Sequence, residues 1–189
     1  MLFNENESLS EIWQTVVHEL HRGALDPKHP LRFANLGTIG KHGPEVRTVV
    51  IRSIGKNLEF HCFTDYRSEK VAELTANPIG TLHFYHSQKR VQIRIKAEVE
   101  MHHQDTVAKD FWKKVPNEAK NAYTYTLAPG TPISDPKAGF DWAEKMDDQF
   151  FTVLKFIPQS IEALQLNGLR HLRILFSKKE SWEGQWLVP

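Results

Sequence analysis

Apolar residues first recur at helical spacing. Leu9, Ile12, Trp13, Val16, Val17 and Leu20 lie on one face between residues 8 and 22, which predicts an amphipathic helix. Ser8 or Ser10 is its expected N-cap and Gly23 its expected stop. Asp26-Pro27 and His29-Pro30 then break the chain, and the period changes to that of strands. Residues 31–39 and 45–54, joined through Gly40 and Gly43-Pro44, predict a hairpin, and residues 58–64 follow the Gly55-Lys56-Asn57 turn. A helix over 68–75 is closed by Asn77-Pro78, and 81–86 is a short strand. The clearest pattern follows. Val91, Ile93, Ile95, Ala97, Val99 and Met101 alternate with Arg90, Gln92, Arg94, Lys96, Glu98 and Glu100, which predicts an antiparallel strand with one buried and one polar face. Residues 104–114 and 116–127 read as helices, and the Pro/Gly-rich 128–139 as a loop. Strands are expected at 150–157, 161–166, 169–176 and near Trp186, with Asn167-Gly168 as a two-residue hairpin turn. The inventory is a single mainly β domain over residues 1–189, with peripheral helices and seven or eight antiparallel strands closing a small barrel.

Composition narrows the class. A length of 189 residues suits one domain with a full core, and 24 cations against 23 anions leave a net charge of +1. That balance argues against a broad basic nucleic-acid surface and against an acidic tail. Cys62 is the single cysteine, so neither an internal disulfide nor a Cys-rich zinc site is expected. No apolar run approaches the roughly 20 residues that cross a bilayer. The first 13 residues lack the basic start and apolar stretch of a secretory signal. The expectation is a soluble, cytoplasmic protein.

Three segments carry candidate chemistry. Arg67-Ser68-Glu69-Lys70 opens the second helix, where cations are unfavourable beside the helix dipole unless an anion binds the free N–H groups. Neutralisation by Glu69 with both cations solvated is the alternative. In Arg47-Thr48-Val49-Val50-Ile51-Arg52 both strand faces mix apolar residues with polar ones, as a site-lining strand or a solvated edge strand would. The two-residue turn would set Leu166 opposite Leu169, Leu164 opposite His171 and Glu162 opposite Arg173, giving Arg173 an ion pair across the strands. Ten histidines show no metal-ligand spacing, and neither a G-x-S-x-G, a P-loop nor a G-x-G-x-x-G occurs. No metal is expected.

The order Arg-Thr-Val-Val-Ile-Arg, Phe-Thr-Asp-Tyr-Arg-Ser-Glu-Lys, Asn-Pro, Gln-Ile-Arg-Ile resembles the flavin-binding half of the pyridoxamine 5′-phosphate oxidase family. The ending, from Ile161-Glu162 through His171-Leu172-Arg173 to Trp186-Leu187-Val188-Pro189, is similar to that family's C-terminal segment. The resemblance implies an FMN-binding split β-barrel, a homodimer with flavins between subunits, and oxidoreductase activity on a small molecule. A flavin-binding or flavin-sensing dimer without turnover is the alternative. It also implies cofactor contacts from Arg47, Thr48, Val49, Val50 and Arg52, from Phe63 and Thr64, from Ser68 and Lys70 at the phosphate, and from Gln92 and Arg173 near the ring. Arg170 and His171 would face substrate. The chain departs from the family pattern at Glu69, where an arginine is usual, at Leu164, where a tryptophan stands, and in a shorter turn before His171.

Overall fold

A computed structural model describes all 189 residues. The chain opens on helix α1 (Leu9–Leu25), where Ser8 and Glu11 form a reciprocal capping box. The helix passes through Gly23 instead of ending there. The glycine lies against Leu31, and a Cβ at that position would sit 2.8 Å from both the Leu31 Cβ and its carbonyl oxygen. Gly23 is therefore a site of close approach, not a stop.

Nine strands form one antiparallel sheet: β1 (Phe33–Gly40), β2 (Gly43–Val50), β3 (Ser53–Ile54), β4 (Phe60–Asp65), β5 (Ile79–His86), β6 (Val91–His103), β7 (Phe151–Gln165), β8 (Leu172–Ser177) and β9 (Gly184–Leu187). Their order is β2-β1-β5-β6-β7-β4-β3, and β8 also pairs with β7 and carries β9. Helices α2 (Glu69–Ala76), α3 (Thr106–Lys114) and α4 (Asn117–Lys120) lie outside it. The helix expected over 116–127 shrinks to α4 and one 3-10 turn, Asn121–Tyr123.

The long β6–β7 pair is the spine of the barrel. The sequence pattern predicts two strands, 150–157 and 161–166, in place of β7. The chain instead continues through Pro158, which pairs with Ala97 at a register shift. A bulge is where a strand tolerates proline, and the bend it introduces helps the sheet curl. One half of β7 pairs with β4 and the other with β8. The alternation read in β6 is present: Val91, Ile93, Ile95, Ala97 and Val99 are buried, and the residues between them are partly or fully exposed. They join Phe60, Cys62, Phe84, Phe156, Ile161 and Phe176 in the main core, which α1 closes with Ile12, Val16 and Leu20.

The expected two-residue turn at Asn167-Gly168 is corrected. Pairing of β7 with β8 ends at Gln165↔Leu172, so Leu164 opposes Arg173 and Glu162 opposes Leu175. The cause is Gln165. It is fully buried, accepts from Leu2 N–H at 2.6 Å, and donates to the carbonyls of Lys89 and Arg90. Leu166 N–H donates to the Arg90 carbonyl, and the chain leaves β8 at that point. Leu169 is left fully solvent-exposed.

Candidate functional site

The residues expected to form one site fall into separate groups. The first gathers where β4 runs into α2. Thr64 shares the core-facing side of β4 with Phe60 and Cys62, and Ser68 is the buried N-cap of α2. The Ser68 hydroxyl caps no N–H of the helix; it donates to the Asp65 carbonyl and lies 3.2 Å from Thr64 Oγ1. Lys70 Nζ donates to the same Thr64 oxygen at 3.2 Å. Arg47 arrives from β2, donating to Thr38 Oγ1 and, at 2.8 Å, to the Glu73 carboxylate of α2. Burial and then the charge of Arg47 push the Lys70 ammonium below the ordinary lysine range. Lys70 thus stands at the N-terminal turn of a helix whose side-chain cap is missing, with Arg47 held nearby on Glu73, and an anion placed there would relieve the Lys70 ammonium. Glu69 is exposed, so its carboxylate need not oppose such an anion.

Arg67 does not belong to this group. It donates twice to the Asp65 carboxylate and to the carbonyls of Tyr125, Thr126 and Leu127, and its guanidinium stacks 3.5 Å from the centre of the Phe150 ring. Arg67 clamps the long 126–149 connection to the turn before α2.

A second group lies on the opposite, outward face of the sheet. Pairing sets Tyr85, Gln92, Leu164 and Arg173 in one row across β5, β6, β7 and β8. The next row runs Thr48, Asn35, His83, Arg94, Glu162 and Leu175. Val50 extends this face beside Phe33. Glu162 accepts from Arg94 at 2.7 Å and from Arg173 at 3.0 Å. Burial pushes the Glu162 carboxyl up, but the two arginines outweigh it and hold the group below the usual carboxylate range. The buried Nε–H of Arg173 has no partner. An unpaired buried donor is uncommon, while the Arg173 side chain as a whole stays 31% exposed.

Arg52 and Phe63 form a third group. The Arg52 guanidinium sits 5.9 Å from the Phe63 ring centre. With Arg32, Phe111, Lys114 and Tyr123 they line a cavity of about 310 Å³ against α3. Burial, then the nearby charge of Arg52, pushes the Arg32 guanidinium down. The cavity therefore has apolar walls and a cationic rim. Sequence reasoning missed it, since Arg32 and Lys114 stand far from any motif. Val49 packs against the main core. Arg170 and His171 stay exposed in the loop after β7, where His171 Nδ1 accepts from Asn167 N–H.

A fourth cluster was invisible in spacing. Glu19 of α1, His29, and His86 at the end of β5 bring their polar atoms together in the interior. The Nδ1 of each imidazole accepts a backbone N–H, from Leu31 and from Lys89, so each ring carries its proton on Nε2. Both Nε2 atoms face Glu19 Oε1, at 3.0 and 3.5 Å, and Lys89 Nζ reaches the same oxygen at 2.6 Å. The imidazoles are held as donors. This suits a charge network and not a metal ligand set.

Residues 10–103 match the family model described as pyridoxamine 5′-phosphate oxidase, FMN-binding domain. A pyridoxine/pyridoxamine 5′-phosphate oxidase of Leptospira biflexa is 27% identical over 206 aligned positions, covering 96% of this chain and 88% of the relative. One from Legionella pneumophila is 29% identical, covering 87% and 66%. Among solved structures, a pyridoxamine 5′-phosphate oxidase-related, FMN-binding protein of Nostoc punctiforme superposes with a TM-score of 0.77 at 20% identity, over 94% of this chain and 97% of that one. PhzG of Burkholderia lata, in complex with tetrahydrophenazine-1-carboxylic acid, gives 0.69 at 16% identity, over 96% and 90%. At these identities the structures speak for the fold. No helix is long and apolar enough to cross a membrane.

Proposed function

We propose, from the premise that this chain belongs to the pyridoxamine 5′-phosphate oxidase-related family of FMN-binding split barrels, that it is a cytoplasmic homodimeric oxidoreductase acting on a small anionic molecule. Its cofactor is FMN. The residues fit that group. The crowded cations Arg47 and Lys70, with Ser68 at the start of α2, suit a phosphate. The partly exposed guanidinium of Arg173, in the row with Gln92, suits an acceptor on the ring. FMN, when bound, supplies the redox chemistry; the chain holds it, excludes water and positions the donor.

One observation carries the dimer. The phosphate-side residues and the ring-side residues occupy opposite faces of the same sheet, so one copy cannot close around one flavin. Two copies can, each offering its inner group to one flavin and its outward face to the other. The outward face also exposes Phe33, Ile39, Val46, Ile79 and Tyr85, apolar surface that a second copy would cover. The cavity beside Arg52 would then hold the substrate, its apolar walls taking a planar body and Lys114 and Arg32 an anionic substituent.

The test is direct. Purified protein is expected to be yellow, with absorption near roughly 370 and 450 nm, as bound flavin gives. Colourless protein that takes up no added FMN would sink the reading. Val46→Glu, which places a charge at a position that is 68% exposed in one copy, is expected to give a monomer by ultracentrifugation and to lose FMN with it. A monomer that retains flavin would refute the shared site. The reading without turnover draws on the solvent-exposed positions of Arg170 and His171. Anaerobic bleaching of the flavin by an amine or a reduced nicotinamide would favour the enzyme over it.

A further inference from the structure

The outward face carries a carboxylate where an anionic ring system would least favour one. Glu162 sits between Arg94 and Arg173, its side chain only 9% exposed, and accepts from both. Three points define what it does. Arg173 lies in the row with Gln92, while Arg94 and Glu162 occupy the neighbouring row. The NH2 group of Arg173 is anchored on Glu162, while its side chain stays 31% exposed on this face. Two guanidinium charges and one carboxylate leave a single net positive charge on this patch.

We propose that Glu162 is a positioning residue that aims Arg173 at the flavin ring and, by cancelling one of two neighbouring cations, sets how strongly the patch favours the reduced, anionic ring. This rests on the reading that the row of Gln92 and Arg173 holds the ring. Reduction adds negative charge to a ring in a partly dry site, so each fixed cation nearby favours the reduced form and each fixed anion opposes it. Removing the carboxylate therefore raises the reduction potential. Removing Arg94 lowers it, because Glu162 then offsets Arg173 alone.

The test is the flavin midpoint potential, read anaerobically against a reference dye on the FMN-loaded dimer, together with the flavin spectrum and the FMN dissociation constant. Glu162→Gln is expected to increase the reduced-to-oxidised ratio at fixed dye potential about tenfold, roughly 30 mV for a two-electron couple. Glu162→Asp is expected to restore most of the wild-type value, and Arg94→Gln to shift the ratio the opposite way. A general loosening of the sheet would move both neutral variants in one direction, which would overturn the proposal. Arg173→Gln separates the proposal from its premise. If it leaves flavin affinity, spectrum and potential unchanged, the ring is not held there and the proposal falls with the premise. If it alters them while Glu162→Gln and Arg94→Gln leave the potential unmoved, the proposal falls alone. Should Glu162→Gln fail to retain FMN, Glu162→Asp and Arg94→Gln still decide the sign.

Discussion

Glu19→Gln is expected to lower the unfolding free energy by about 3–5 kcal/mol, the usual effect of removing one partner from a buried charge group. The carboxylate side chain is 3% exposed, and its Oε1 faces His29, His86 and Lys89 together. An amide offers one neutral acceptor oxygen to donors that now share a full charge, and its own NH2 would meet the Arg22 guanidinium that Oε2 accepts from at 3.4 Å. The loss also has a pH signature. Burial pushes the Glu19 carboxyl up, but hydrogen bonds and charge from Lys89 and His29 hold it below its ordinary value of 4.5. Its stabilisation is therefore present above that pH and fades as pH falls through the folded pKa. Burial keeps His86 below its ordinary 6.5, against the opposing pull of Glu19. The unfolded chain then takes up this proton first as pH drops, so stability declines below about 6.5 as well. Urea midpoints at pH 7.5, 5.5 and 3.5 for the wild type and Glu19→Gln check both points, the step to 5.5 reading His86 and the step to 3.5 reading Glu19. A variant within about 1 kcal/mol of wild type at neutral pH would show that the network contributes little.

Lys70→Ala is expected to weaken FMN binding by about 1.5–3 kcal/mol, the range for a hydrogen bond to a charged group, or some ten- to more than a hundredfold in dissociation constant. Stability should move differently. The Lys70 ammonium is partly buried beside Arg47, and both burial and that charge disfavour it in the free protein. The flavin-free variant should therefore unfold at an unchanged or higher urea concentration, as expected where a site holds like charges close for the sake of a ligand. Arg47→Ala should weaken FMN similarly but also destabilise the chain, since it removes the ion-pair partner of Glu73 and leaves that carboxylate only the Thr38 hydroxyl. Fluorescence titration with FMN and urea unfolding of the flavin-free proteins separate the effects. Unchanged FMN affinity in both variants would place the phosphate elsewhere.

Much of the barrel was legible because burial in a sheet repeats every two residues. The β6 alternation and the Gly40–Gly43 turn follow from local rules alone. Gly23 misled because a glycine that ends a helix and one that permits close packing look the same in sequence; Leu31 decides between them. The β7–β8 register failed because Asn167-Gly168 is a local signal, whereas Gln165 answers to the N-terminus and to the turn before β6. The cations at the start of α2 stood together in sequence, yet the structure assigns them opposite tasks. Lys70 sits beside Arg47, and Arg67 is spent on backbone carbonyls. The Glu19 network joins positions 10 and 67 residues from the glutamate, a distance that no motif spans.

The β6–β7 spine has a kinetic consequence. Its strands are joined through residues 104–150, so the pair that organises the whole sheet is also among its least local. Contacts of that kind form only after a large loop has closed, which slows folding. The local β1–β2 hairpin can form before the spine does, but it gains most of its core only when β5 and β6 arrive. Doubling a flexible connection adds only about 0.6 kcal/mol to its closure. Length can therefore change within the exposed residues 129–138, beyond the Arg67 clamp, at little thermodynamic cost, whereas one residue inserted near Pro158 would re-register the sheet on both sides.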